Sequence, residues 1–524
     1  MSHLGSVWTN TVEEDDIHIS RRKSNSLKRH IDVDVCVVGA GISGVTSAYM
    51  LAKRGKRVAL IDSGDLGAGV TGDTTAQITW RLDDDYKTIV DHYGLNKTKM
   101  IAESHRSAIE MIAQIVHDEH IDCNFERVNG YQFTDALKKN NEDRWDDELE
   151  TIRKMGFSDV HRLSSAPIDG KITGPCIEFV RQAQFHPLRY VFGVYQAFLK
   201  NGGQFYSNTK VTKISGDQLL IIDTESGGEI TARSLIVATH SPINNLFTMH
   251  TKQAPYQSYV IAMRIPRYGH PYALYWDDQE PYHYVNFISA ADHDLILVGG
   301  EDHKTGQDNH PEQHFQSLEE WGRERFPQAG KVEFKWTNQV FEPIDRIGFI
   351  GRNPGNKNIY IATGFSGNGM TYGTIAGMLL SDMVLGKKNA WEEIYNPSRI
   401  PVHAAAEFAK ENFNVAWQMC DWVKGGEVGS IDEIPNDEGA IVSQGLKKMA
   451  VYKDEDGRVI QLSAKCTHLG CMVHWNTTAK TWDCPCHGSR FNCHGEVIAG
   501  PATKDLQEIS EEENLNTNEV GVHV

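Results

Sequence analysis

The chain of 524 residues has no apolar run near the roughly 20 residues that a membrane-crossing helix requires. Basic residues are also short: 52 Lys and Arg against 70 Asp and Glu leave a net charge of -18, which argues against nucleic acid as a main partner. No cysteine framework is spread along the sequence. Of nine cysteines, five fall between Cys466 and Cys493, while Cys36, Cys123, Cys176 and Cys420 are scattered as reduced cytosolic thiols are. No export signal is expected either. Ser20-Arg21-Arg22-Lys23 has a twin-arginine look, but the next apolar segment, Val33 to Val38, runs into a glycine turn instead of a cleavage site. The expectation is a cytoplasmic protein without a transmembrane segment, residues 1–30 forming a polar arm. Length alone predicts two or three domains.

What the chain does have is concentrated near its end. Cys466-Thr-His468-Leu-Gly-Cys471 and Cys484-Pro-Cys486-His487-Gly-Ser489 each offer Cys and His, with fifteen residues between His468 and Cys484. Four thiolates would suit zinc or an ordinary ferredoxin cluster. Two thiolates with two imidazoles suit a 2Fe–2S centre in which His replaces Cys on one iron. Zinc accepts the same donors and is the chemical rival.

The letters around those donors, with the trailing Gly500-Pro501-Ala502, resemble the Rieske proteins of cytochrome bc complexes. The resemblance implies that Cys466 and Cys484 bind one iron and His468 and His487 the other. It implies a disulfide between Cys471 and Cys486, leaving Cys493 free. It also implies that the Ser489 hydroxyl serves a bridging sulfide, whereas Phe491 stands where respiratory proteins carry a Tyr that donates to a ligand sulfur. Loss of that donor predicts a lowered potential within a range of about -150 to +300 mV. Potentiometry on Phe491→Tyr should show an upward shift; an unchanged value would remove the explanation. Oxygenase-type Rieske domains usually lack the extra Cys pair and work with a non-haem iron, for which the rest of this chain leaves no place.

Upstream, Asp34 to Gly44 reads as a buried strand entering the turn Gly39-Ala-Gly41-Ile-Ser-Gly44. A helix through Val45, Ala48, Leu51 and Ala52 follows, and a second strand, Arg57 to Ile61, ends at Asp62. Gly39 permits the turn, Gly41 lets backbone approach a pyrophosphate, and Gly44 allows close helix–strand packing. The helix N-terminus faces the phosphates and Asp62 suits a ribose diol. The pattern by itself fits FAD or NAD. Gly67 to Ala76, with Thr71, Thr74 and Thr75, is a small-residue loop suited to close ligand approach. Val211 lies on one strand and Ala238 ends another. Asn358 to Gly373, with Gly364, Gly367, Gly369 and Met370, gives strand, glycine turn and helix again, without a following strand and acid.

These segments resemble the D-amino-acid oxidase-like superfamily of FAD enzymes over roughly Asp32 to Ile400. The resemblance implies FAD held by the residues just named, with the late glycine-rich segment closing over the isoalloxazine. A helix N-terminus there favours negative charge at the flavin pyrimidine edge. Trp336 to Gly351 is similar to the family's penultimate segment. Some relatives attach the flavin through a His in the early loop; Asp73 stands near that place here, so non-covalent FAD is expected.

Between the flavin segments, Ser258–Ile265, Tyr272–Trp276, Tyr282–Ile288 and Leu295–Gly299 read as strands of an antiparallel sheet roofing the flavin. Its aromatics, Tyr256, Tyr259, Tyr275, Trp276, Tyr282 and Tyr284, suit either a packed face or a cage for a cationic amine. Arg264, Arg346 and Arg352 are candidates to meet a substrate carboxylate, though each also reads as structural. No catalytic base is assigned; His240 fits a backbone turn equally well.

The expected fold is α/β plus β: a Rossmann-like FAD domain with an interleaved antiparallel-sheet substrate domain, then a small all-β Rieske domain. The boundaries are a polar arm at 1–30, the oxidoreductase at 31–400 with its substrate insert around 250–335, a connector at 401–427 and the Rieske domain at 428–524. The expected activity is oxidation of an amine or amino-acid C–N bond, with electrons passing from reduced flavin through the cluster to an external acceptor. The alternatives are an oxygen-using amine oxidase whose Rieske module senses or docks, and a reductase with electrons entering at the cluster. An NAD(P)H reductase would need a second nucleotide domain.

Overall fold

The computed structural model describes residues 3–12, 26–135, 142–168, 170, 173–244, 249–267, 271–290, 292–308, 310–400, 404–419, 422, 426–444 and 447–509. The basic run at Ser20–Lys23 lies outside them, as do the connector residues 401–403 and 423–425. The chain packs as two units. The first takes residues 1–242, 257–302 and 313–404; the second takes 243–256, 303–312 and 405–524.

At the centre of the first unit is an eight-stranded sheet. Its main path orders Phe349–Arg352, Ile359–Thr363, Glu229–Val237, His30–Val38, Val58–Ile61 and Gln204–Tyr206. The four inner pairings, from Ile359–Thr363 across to Gln204–Tyr206, are parallel. Parallel strands covered on both faces need continuous apolar runs. Val35 to Val38 and Val58 to Ile61 are such runs, each residue at most 5% exposed. The first helix, Ile42–Lys53, and the late helix, Gly369–Val384, pack closely. Gly373 and Gly377, one turn apart, make this possible: a Cβ on them would lie 2.7 Å from Ile42 Cγ2 and 2.5 Å from Thr46 Cγ2. The contact holds the two helices that follow glycine turns against each other.

A second, ten-stranded sheet contains the expected strands, seen as Gln253–Ile265, Ala273–Asp277, His283–Ser289 and Asp294–Lys304. It is wider than the 250–335 insert and is mixed, not purely antiparallel. Glu126–Asp135 pairs parallel with Ala273–Asp277 and antiparallel with Thr173–Gln184.

The polar arm also needs correction. His3–Leu4 adds a parallel strand beside Phe334–Lys335, and the short helix Val7–Thr11 buries Val7 and Trp8 in the main core. Two apolar side chains are enough to anchor an otherwise polar segment.

Within the second unit, Glu438–Gln444, Lys447–Lys453 and Val459–Ser463 form one antiparallel sheet. Four short strands, His474–Asn476, Thr481–Asp483, Arg490–Asn492 and Val497–Ala499, form another. Trp482 and Phe491, both fully buried, face each other in the second sheet's register and fill a core with Ile441, Ala450 and Leu462. The helix Ala405–Gln418, expected as a connector, belongs to this unit.

Candidate functional site

The nucleotide turn is built as the glycine spacing requires. Gly39 has φ +105°, and a Cβ there would stand 2.3 Å from the Ala238 carbonyl oxygen. A Cβ on Gly44 would stand 1.8 Å from the Gly39 carbonyl oxygen, so helix and turn touch backbone to backbone. Ala238 N donates to Val38 O at 2.8 Å, tying the candidate strand end to the turn. Gly41 precedes the helix, whose first amide, Ile42 N, donates to Thr71 Oγ1 at 3.1 Å. Asp62 accepts from Ala40 N at 2.6 Å and Gly64 N at 2.8 Å, which braces the turn. Burial raises its carboxyl, and those two amides pull it back down.

The early loop is held from outside. Trp8 Nε1 donates to Thr74 O at 2.5 Å, Trp336 Nε1 to Asp73 O at 2.7 Å, and Asn286 Nδ2 to Thr75 O at 2.7 Å. Val211 begins a peripheral strand and is buried. On the late segment, Gly364 takes φ +71°, Gly367 N donates to Asp83 Oδ2 at 2.6 Å, and Gly369 and Met370 open the helix. A glycine turn closed backbone to backbone, a helix N-terminus and an acid at the next strand end fit FAD. Asp73 leaves the early loop without a His, consistent with non-covalent attachment.

Beside this segment lies a group that the sequence did not single out. Asp83, Asp84, Asp302, Glu342 and Glu280 are close enough that their charges act on one another. Burial pushes Asp302 up to about 7, with Asp83 and Glu280 adding to the rise. Burial, then Asp302 and Asp83, raise Glu342 well above its ordinary range. Tyr282 and Tyr284 stand over them with ring centres 5.7 Å apart, Tyr284 sharing a 2.9 Å hydrogen bond with Ser258. The run Asp83-Asp84-Asp85 is visible in the sequence, but such runs usually mark a solvated face. Asp302 and Glu342 gave no signal, lying one each on separate strands.

The aromatic sheet divides by strand alternation. Tyr259 and Tyr275 are fully buried in a core with Phe287, Phe315 and Phe326, as a packed face requires. Trp276 and Tyr284 lie on the other side. The arginines are engaged: Arg264 with Asp292 at 2.9 Å, Arg346 with Asp84, and Arg352 with the Lys357 carbonyl. His240 has φ +62° and its carbonyl accepts from Thr363 Oγ1 at 2.7 Å, the backbone turn its sequence allowed.

In the second unit the two Cys/His loops fold alike. Gly470 N donates to Cys466 O and Gly488 N to Cys484 O, both at 3.0 Å, and both glycines have positive φ. Cys471 and Cys486 are joined by a disulfide that ties the loops. Cys466 and Cys484 are buried and hydrogen-bonded to each other, which favours the thiolate at Cys466 and raises Cys484. The His468 and His487 rings meet edge to face at 5.0 Å, and burial lowers His487 to about 3, keeping it in the neutral form that binds metal. Ser489 is fully buried; its Oγ accepts from Ala502 N at 3.0 Å, and it lies beside Cys466, so its proton is available to a sulfur. Phe491 is buried. Two sulfurs and two imidazoles in paired loops fit a 2Fe–2S cluster with mixed ligands.

Residues 34–383 match the FAD dependent oxidoreductase family and residues 424–510 the Rieske [2Fe-2S] domain. The Bacillus subtilis protein YhfW, named for a Rieske 2Fe-2S iron–sulfur protein, is 32% identical over 92% of this chain and 94% of its own. The gamma-glutamylputrescine oxidoreductase of Escherichia coli is 24% identical over 72% of this chain and 89% of its own. Glycine oxidase from Geobacillus kaustophilus shares the fold with a TM-score of 0.59 at 17% identity, covering 70% of this chain and 99% of that one. The chain therefore belongs to the FAD dependent oxidoreductase family and carries a C-terminal Rieske 2Fe–2S domain.

Proposed function

We propose that the enzyme oxidises a C–N bond of a cationic amine and passes the electrons through its Rieske domain to an external one-electron acceptor. FAD, when bound, supplies the two-electron oxidation of the amine, and the cluster one-electron transfer. The nucleotide is assigned to Gly39, Gly41, Gly44, Asp62, Thr71, Thr74, Thr75, Val211, Ala238, Gly364, Gly367, Gly369 and Met370. The cluster is assigned to Cys466, His468, Cys484 and His487.

The observation that carries the amine reading is the carboxylate group around Asp302. Charged carboxylates crowded together raise one another's pKa, and a cation placed among them relieves the repulsion. Tyr282 and Tyr284 add aromatic faces to the same region. A substrate carboxylate would meet like charge at Asp302 and Glu342; Arg346 and Arg81 are taken up by Asp84 and Asp83 within the group, and Arg264 and Arg352 are engaged away from it. The relative named for gamma-glutamylputrescine agrees with an amine substrate. In this reading the carboxylates hold an ammonium group while the reacting nitrogen stays neutral.

Anaerobic mixing with diamines, monoamines and amino acids tests it. Diamines should bleach the flavin and then raise a reduced-Rieske EPR signal. Bleaching only by amino acids would overturn the amine reading, and bleaching with a silent cluster would overturn the relay.

Asp302→Asn should raise the KM for a diamine roughly 30-fold at pH 8, from loss of about 2 kcal/mol of buried charge pairing. The pH dependence has a definite sign. With Asp302 pushed up to about 7, wild-type KM should fall as pH rises through that value, and the variant should lose this step. A raised carboxyl also means that the folded state holds the proton more tightly than the unfolded one. Its contribution to stability is therefore lost as pH climbs from about 4 to 7. Thermal melts of the Asn variant should be flatter across that window; an unchanged slope would show that Asp302 does not titrate there.

A further inference from the structure

The second unit is assembled from three stretches of chain, and two of them, 243–256 and 303–312, fall inside the span that matches the oxidoreductase family. Their place is on the cluster loops. His250 is 4% exposed, and its ring centre lies 5.1 Å from that of His468 and 6.3 Å from that of His487, edge to face with both. Three imidazoles thus form one packed group. His487 is itself 6% exposed.

The surroundings fix His250 there. Asn412 Nδ2 donates to Thr251 O at 3.2 Å. Lys304 pairs with Glu411 at 2.5 Å, and Gln307 Nε2 donates to Asn414 Oδ1 at 2.9 Å. Gly306 comes so near the second cluster loop that a Cβ would lie 3.1 Å from Asp483 O. Thr305 N donates to Pro255 O at 3.1 Å, joining the two inserted stretches to each other. A hydrogen-bonded frame of this kind exceeds what chance packing of a loop needs.

We propose that His250 is a positioning residue that closes the imidazole edge of the cluster, so that external reagents are kept from His468 and His487. This rests on the relay reading above. Each amine oxidised yields two electrons, which leave the cluster one at a time to two equivalents of a one-electron carrier. The shell around a metal centre controls solvent access and potential, so an aromatic lid on two ligands influences both.

The test uses the full-length holoprotein with His250→Ala and His250→Phe. The cluster is reduced with dithionite and its reoxidation by ferricyanide is followed, with EPR spectra and a redox titration of the same samples. His250→Ala should speed reoxidation about tenfold and shift the EPR g-values. His250→Phe, which restores the lid, should return the ferricyanide rate to near wild type. Unchanged ferricyanide rate and EPR spectrum in His250→Ala would overturn the proposal. If His250→Ala loses iron, His250→Gln carries the same readouts and the same overturning result. A wild-type cluster that stays silent while the flavin bleaches sinks the relay, and the dithionite–ferricyanide arm still decides whether the edge is closed.

Discussion

Gly44→Ala should purify without its yellow colour. A Cβ at this position would lie 1.8 Å from the Gly39 carbonyl oxygen, and both partners are backbone. No side chain can turn aside, so the helix Ile42–Lys53 must shift away from the turn it follows. Overpacking of this kind costs about 3 kcal/mol, and because the shift falls on the phosphate cradle most of it should appear as lost affinity, roughly 100-fold in Kd. The ratio of flavin absorbance to protein absorbance after gel filtration measures it. The Rieske EPR signal should survive, since the cluster loops are held by their own core around Trp482 and Phe491. Full flavin content in the variant would mean that this turn does not hold the nucleotide.

Cys484→Ser should separate the two redox functions. Cys484 is buried, its amide donates to the Ser489 carbonyl at 2.8 Å, and its carbonyl accepts from the Gly488 amide, so the loop can keep its shape when the sulfur is replaced. What is lost is a thiolate ligand. Iron and acid-labile sulfide should fall to background, and amine-driven reduction of a one-electron acceptor should drop by at least about 100-fold, the upper end for disturbed metal centres. Anaerobic flavin bleaching by the amine should stay within about twofold, since ligand loss leaves the chemistry at the carboxylate group untouched. Retained acceptor reduction would place the exit at the flavin and favour the oxidase alternative. Lost bleaching would mean that the cluster is needed for substrate oxidation itself.

Sequence reading reached the parts of the molecule where chemistry is written into consecutive residues. Gly39 to Gly44, Asp62 and the Cys466 and Cys484 loops are local patterns, each set by the geometry of one turn or one metal. Asp302, Glu342 and Asp83 were out of reach because their meeting is made by a sheet and a loop separated by more than two hundred residues of chain. Each alone is an ordinary acid, Asp302 and Glu342 towards the ends of strands and Asp83 in a loop. Trp8 was misjudged for the opposite reason: a polar neighbourhood concealed one apolar anchor whose indole reaches Thr74. The aromatic strands were read as either packing or cage, and alternation places Tyr275 and Trp276 in separate packed clusters, one on each face. His250 carried no motif, since a lone His between Met249 and Thr251 says nothing until the loops it covers are in place.

The three-stretch construction of the second unit bears on how such a protein can evolve. A domain whose boundary is a single point in the sequence can be exchanged between genes by one recombination event. Here the family boundary at residue 424 and the packing boundary disagree, because 243–256 and 303–312 go with the far side. A transplant cut at 424 would therefore leave the recipient with bare imidazoles and the donor with two orphaned loops. Once those loops had taken up their places, the two halves could change only together.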